Sequence, residues 1–300
     1  MQNRTFRLYL RNNYTNIYRM ILNLDPNFKP VAGEEIQFES FTFSGGEPHI
    51  KIHCDFDLKE KITVTHRINS FNDLGLLCLA VDALQGMDAE ISDLYIPYFP
   101  SARQDRIMVP GEPLSVKVYA NIINGLNFKK VFVFDAHSEV TPALLNNCKV
   151  ISNHQLVKEV IKKIGEDVLL ISPDGGALKK IYKVSEFLGG YPVVECSKSR
   201  DVKTGKISGF KVYEEDLNGK DCLIVDDICD GGATFIGLAD ELKNKNAGKL
   251  YLVVSHGIFS RGCEKLASSF SHIFTTNSFK DQQHPSLTTI DLAEISTTRS

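Results

Sequence analysis

Apolar and polar residues alternate in Glu35-Ile-Gln-Phe-Glu-Ser-Phe-Thr-Phe43 and in His49-Ile-Lys-Ile-His53. A period of two predicts strands with one covered face, so residues 1–65 read as strand-rich. From Ser70 the period lengthens, and Leu74, Leu77, Ala80, Val81 and Leu84 fall on one helical face. Further on, continuous apolar runs alternate with amphipathic stretches. The runs at 93–98, 130–134, 168–172, 192–195, 222–225 and 250–254 predict strands, and 114–125, 155–164, 176–188, 233–245 and 262–267 predict helices. Strands apolar throughout, alternating with helices, argue for an α/β class of mainly parallel sheets flanked by helices. The chain of 300 residues accommodates two such units. A boundary near Asn146-Asn-Cys-Lys149 divides it into residues 1–148 and 149–300. In both halves charged residues follow the apolar strands, at the strand ends where open α/β sheets take ligands.

Composition narrows the function classes. Hydrophobic residues make up 43% and charged residues 24%, as in a soluble globular protein. A net charge of −3 gives no drive towards nucleic acid or an anionic membrane. Seven scattered cysteines without a Cys-x-x-Cys pair favour reduced thiols over disulfides or a zinc site. The first ten residues hold no long apolar core, and no apolar run is long enough to span a bilayer. The expectation is a cytoplasmic protein that binds neither membrane nor nucleic acid.

The chemistry concentrates in Leu223-Ile-Val-Asp-Asp-Ile-Cys-Asp-Gly-Gly-Ala-Thr-Phe235. Asp226 and Asp227 end an apolar run, where carboxylates can accept hydrogen bonds from sugar hydroxyls. Asp230, Gly231, Gly232, Ala233 and Thr234 then lead into an amphipathic helix, whose N–H groups and positive end suit a phosphate. A diol site beside an anion site fits a ribose phosphate; a structural strand–turn–helix with acidic punctuation is the plainer alternative. Four further clusters follow strands. Arg103 can bind phosphate bidentately, and Gln104 and Asp105 can read a base edge, although a surface loop would look the same. Asp135 and His137 could hold a divalent cation or its waters, or be a structural pair. Ser172-Pro-Asp-Gly-Gly176 repeats the carboxylate–glycine pattern, with Asp174 as a candidate metal or hydroxyl ligand. Lys198 and Arg200, two apart in an extended basic segment, can face the same way over a polyphosphate.

Taken in order, Pro97-Tyr-Phe-Pro-Ser-Ala-Arg-Gln-Asp-Arg106, Asp135-Ala-His137, Ser172-Pro-Asp-Gly-Gly176, Lys198-Ser-Arg200, Val225–Thr234, Ser255-His-Gly-Ile-Phe-Ser260 and Thr276-Asn277 resemble the ribose-phosphate diphosphokinase (phosphoribosyl pyrophosphate synthetase) family. The resemblance implies two tandem phosphoribosyltransferase-type (type I) domains and a transferase of the β,γ-diphosphoryl group of ATP to the anomeric hydroxyl of ribose 5-phosphate. It implies ATP at Phe43, Gly45, Glu47, Arg103, Gln104, Asp105 and His137, and Mg²⁺ at His137, Asp135 and Asp174. By the same resemblance Asp226, Asp227 and the 230–234 loop hold the ribose phosphate, Lys198 and Arg200 act on the transferring group, and the protein is a homo-oligomer, dimer or higher.

The sequence also departs from that pattern. The 5-phosphate loop usually reads Asp-Thr-x-Gly-Thr, whereas here Gly231 replaces the first threonine. The opening this leaves suits a ribose 5-phosphate carrying a further group, such as ADP-ribose. Residues 1–35, residues 53–66 and the chain after Glu294 lack features that form hexamer contacts and the ADP/phosphate regulatory site in the family. The 109–115 loop is short, as in archaeal-type members. A phosphoribosyltransferase and a non-catalytic synthetase-associated relative are the competing classes. The former would not need the Arg-Gln-Asp and Asp-Ala-His motifs, and the latter would be expected to have lost Lys198, Arg200, His137 or Asp174.

Overall fold

A computed structural model describes residues 20–200 and 207–296. The chain forms two units: one holds the chain through Val133, Val140–Lys149 and the stretch from Leu292, the other Phe134–Glu139 and Val150–Asp291. Phe134–Glu139, which carries Asp135 and His137, therefore groups with the second unit although it follows a strand of the first.

The first unit starts with β1 (Met20–Asn23), β2 (Glu34–Glu35) and a hairpin of β3 (Phe38–Thr42) and β4 (Pro48–Ile52). It continues with β5 (Ile62–Thr65), α1 (Phe71–Gly86), β6 (Ile91–Ile96), α2 (Ser115–Gly125), β7 (Lys130–Phe134), α3 (Val140–Leu144) and β8 (Cys148–Ile151). Its sheet runs β2-β1-β5-β6-β7-β8, with the β2-to-β7 pairings parallel. Leu22, Ile62, Leu77, Leu84, Leu94 and Ile123 are fully buried there. The start of α1 is set by Ser70, whose hydroxyl accepts the Asp73 N–H at 3.2 Å and donates to the Asp73 carboxylate at 2.9 Å.

The second unit holds α4 (His154–Ile164), β9 (Val168–Ser172), α5 (Leu178–Phe187), β10 (Val193–Arg200), β11 (Ile207–Val212), β12 (Asp221–Cys229) and α6 (Ala233–Asn244). β13 (Leu250–Gly257), α7 (Glu264–Ser269), β14 (His272–Thr276) and β15 (Leu287–Ile290) complete it; α8 (Leu292–Ser296) groups with the first unit. The sheet order is β11-β10-β9-β12-β13-β14-β15, parallel except for β10–β11. β12 is central, and β9 and β13 beside it are buried end to end. That is why the runs at 168–172, 222–225 and 250–254 within these three strands read as apolar.

The apolar runs reappear as β6, β7, β9, β10, β12 and β13, and the predicted helices as α1, α2, α4, α5, α6 and α7. The runs did not single out β1, β5, β11, β14 and β15. These carry polar residues within four to six positions, as in Ile207-Ser-Gly-Phe-Lys-Val212 at a sheet edge. Among the described residues no helix is long and apolar enough to cross a membrane. All seven cysteines are free thiols, and burial pushes those of Cys196 and Cys222 up to about 12.

Candidate active site

The centre of the second unit is an ionic cluster at the carboxyl end of β12. Asp226 accepts the Asp227 N–H at 2.9 Å, and Asp227 is 7% exposed. Asp227 Oδ2 accepts from His137 Nδ1 at 2.8 Å and from Lys180 Nζ at 3.1 Å. Burial would raise the Asp227 carboxyl, but the His137 hydrogen bond and the Lys180 charge outweigh it and hold it well below the usual range. Burial, and then the charge of Asp227 beside it, push the Asp226 carboxyl well above that range. One of the two adjacent carboxyls is thus anionic, and the other retains its proton to higher pH.

Lys180 comes from α5 and also reaches Ala136 O at 2.8 Å and Asp135 Oδ1 at 3.3 Å. Burial opposes its charge, yet Asp135 and Asp227 more than compensate and push it up to about 12. Asp135 is 5% exposed, and its other oxygen accepts from Asn153 Nδ2 at 3.0 Å and Ser255 Oγ at 2.5 Å. Its backbone sits at φ 38°, a conformation a non-glycine residue holds only where its surroundings enforce it. They do so here through Asp135 N–H to Ile151 O at 2.8 Å and His256 Nε2 against Phe134 O and Asp135 O at 3.1 and 3.3 Å. With both oxygens engaged inside the protein, the Asp135 carboxylate shapes the segment that presents His137.

Asp174 follows β9. Its Oδ1 accepts the Gly176 and Ala177 N–H groups at 3.0 and 3.3 Å, and its Oδ2 accepts from Lys198 Nζ at 2.8 Å. Burial would raise its carboxyl, but Lys198 and the two amides outweigh this and lower it. Lys198 extends from β10, and Arg200 ends that strand. The glycine loop joins β12 to α6. Gly232 has φ 77°, and a Cβ there would meet Leu266 at 2.9 Å, so glycine is required at that position. Gly231 faces Arg261 instead: a Cβ there would lie 3.4 Å from Arg261 Cδ and Nε. Thr234 and Asp230 flank the loop, both half-buried.

The remaining candidate residues lie in the first unit. At the tip of the β3–β4 hairpin, Phe43 N–H donates to Glu47 O and Gly46 N–H to Phe43 O, both at 2.8 Å. A Cβ on Gly45 would meet Glu47 Oε2 at 2.5 Å. The exposed rings of Phe41 and Phe43 stand 4.8 Å apart, and His49 lies 5.0 and 5.6 Å from them. In the other loop Ser101, at φ 56°, accepts the Gln104 N–H at 2.8 Å, and Arg103 and Gln104 are exposed. Asp105 faces Arg106 at 3.6 Å.

The second unit brings Asp135, His137, Asp226 and Asp227 together, with Asp174 near enough to act on Asp226. Among the described residues no three His, Cys, Asp or Glu side chains form a ready-made metal cage, and Asp135, His137 and Asp174 are not gathered into one ligand set. Such a site suits Mg²⁺ that keeps its waters and draws most of its oxygens from a bound polyphosphate. Lys180, Asn153 and Arg261 gave no sequence signal for a site role, and Ser255 stood in a matching motif to which no role was attached. A lysine one position after another on a helix reads as solvated surface, and only the folded chain shows what it touches.

A family model described as the phosphoribosyl transferase domain matches residues 150–285. A ribose-phosphate pyrophosphokinase of Thermococcus kodakarensis is 30% identical over 259 residues, covering 85% of this chain and 90% of that protein. One of Pyrococcus abyssi is 31% identical over 252 residues, covering 82% and 85%. The crystal structure of phosphoribosylpyrophosphate synthetase from Mycobacterium smegmatis matches with a TM-score of 0.78 at 21% identity, over 94% of this chain and 97% of that one, which supports the fold. The chain therefore belongs to the ribose-phosphate pyrophosphokinase family and is a transferase of that type.

Proposed function

We propose that this chain transfers the β,γ-diphosphoryl group of ATP to the anomeric hydroxyl of ribose 5-phosphate, giving phosphoribosyl pyrophosphate and AMP. The observation that carries this reading is the carboxyl pair of β12 running directly into a glycine loop and the N-terminus of α6. A diol and a phosphate on one ligand match that sequence of groups. The ribose hydroxyls face Asp226 and Asp227, and its 5-phosphate rests in the 230–234 loop. The ATP base and phosphates belong to Phe43, Gly45, Glu47, Arg103, Gln104 and Asp105.

In the reaction the anomeric oxygen bonds to the β-phosphorus, the bond from that phosphorus to the α–β bridging oxygen breaks, and AMP leaves with that oxygen. The anomeric proton passes to solvent or to a nearby carboxylate. Charge grows on the bridging and equatorial oxygens, and Lys198 and Arg200 are the cations that meet it. One Mg²⁺ would be held at His137 and a second at Asp174, each with ATP phosphates, and they would supply charge neutralisation. Asp135 supports His137 from behind.

A second reading keeps the chemistry and changes the acceptor to a 5-substituted ribose phosphate such as ADP-ribose, giving ADP-ribose 1-diphosphate and AMP. Gly231 and Arg261 favour it. Where the family pattern has a threonine hydroxyl, this loop has no side chain and an arginine alongside. The test is AMP release from ATP and Mg²⁺ with each acceptor offered separately and products identified by mass. Turnover of ribose 5-phosphate establishes the first reading, turnover of ADP-ribose alone the second, and AMP release with neither acceptor overturns both.

A further inference from the structure

Lys180 belongs to no motif of the candidate site, yet its ammonium is the hub of the second unit's ionic cluster. It lies 2.8 Å from Ala136 O, 3.1 Å from Asp227 Oδ2 and 3.3 Å from Asp135 Oδ1. The three oxygens come from two separate chain segments, and His137 is anchored to both. Its backbone follows Ala136, and its Nδ1 donates to the same Asp227 oxygen that Lys180 holds.

A cation at this point does two things. It neutralises two buried carboxylates that would otherwise repel each other, and it ties the Asp135–Ala136 backbone to β12. Asp227 then stands where it accepts from His137 Nδ1. A carboxylate fixed on one imidazole nitrogen sets the tautomer and ring plane of the other, an arrangement that tunes histidine ligands of metals. We propose that Lys180 is a positioning residue that acts through Asp227 to orient His137 towards a divalent cation. The proposal rests on the reading of His137 as a metal ligand.

The experiment is Mn²⁺ binding to the full chain by calorimetry, with a non-hydrolysable ATP analogue and no turnover, for wild type, His137→Gln, Lys180→Arg, Lys180→Gln and Lys180→Met. Expected is a loss of about 10–100-fold in Mn²⁺ affinity for Lys180→Gln and Lys180→Met, with partial recovery in Lys180→Arg. Melting temperatures are measured alongside. His137→Gln is expected to weaken Mn²⁺ by itself, and adding Lys180→Gln to it should weaken binding no further. If His137→Gln leaves Mn²⁺ binding intact, the ligand reading fails and takes the proposal with it. If His137→Gln weakens binding and the Lys180 variants do not, the proposal alone fails. Failure of every Lys180 variant to fold would also overturn it, because the lysine would then serve stability.

Discussion

Lys198 Nζ lies 2.8 Å from Asp174 Oδ2, so the lysine proposed to act on the transferring group is paired with a carboxylate proposed to serve Mg²⁺. Lys198 is the more enclosed of the two, with a side chain 14% exposed against 31% for Asp174. For both to meet a bound polyphosphate this pair must open, and the incoming phosphate oxygens can replace the carboxylate as partners of the ammonium. Lys198→Met is therefore expected to lower kcat by about 10³-fold or more, as for other cations on transferring phosphoryl groups. AMP release at saturating substrates measures it, and a loss smaller than tenfold would remove Lys198 from the reaction.

The glycine loop separates stability from specificity at adjacent positions. Gly232→Ala puts a Cβ at φ 77° against Leu266. It is expected to destabilise the second unit by roughly 1–3 kcal/mol, read from its denaturant midpoint.

Gly231→Thr needs only a shift of the exposed Arg261, so stability should hold and acceptor preference should move towards ribose 5-phosphate. Under the second reading, Arg261→Ala raises KM for ADP-ribose by about tenfold, the worth of one charge-assisted contact, and leaves ribose 5-phosphate unaffected. An unchanged KM for both acceptors would remove Arg261 from the acceptor site.

The exposed rings of Phe41, Phe43 and His49 give the hairpin a stacking surface. Phe43→Ala is expected to raise KM for ATP by an amount matching about 1–3 kcal/mol of lost base stacking, with kcat nearly unchanged. Steady-state kinetics across an ATP series would decide it; a fall in kcat at constant KM would speak against stacking.

Stability should fall in mild acid. His256 is buried with Nε2 against Phe134 O and Asp135 O and Nδ1 2.8 Å from Ser278 Oγ. Burial lowers its pKa, and burial lowers that of His66 as well. As pH drops, the unfolded chain takes up these protons first. The stability is thus fully present above about pH 6.5 and is lost below it, by up to about 1.4 kcal/mol per pH unit for each such histidine. Thermal melts at about pH 7.5 and about pH 5.5 check the sign, and His256→Gln should flatten the difference.

The order of apolar runs and amphipathic stretches was enough to give an α/β protein with parallel sheets. β9, β12 and β13 lie inside the sheet, and the segments 168–171, 222–225 and 250–254 within them are apolar throughout because both faces are covered. The same order placed Asp174 and the 230–234 loop just past strand ends, whereas β12 runs three residues beyond Asp226 to Cys229. The sequence left open which of these groups touch. Asp135 and Asp227 are 92 positions apart, and Lys180 joins them only because α5 returns over the sheet to bring its ammonium between them. Long-range ion pairs of this kind leave no period in the chain, and neither does the approach of Arg261 to Gly231. The packing of strands follows from which residues avoid water; the pairing of charges follows from where the packed strands end.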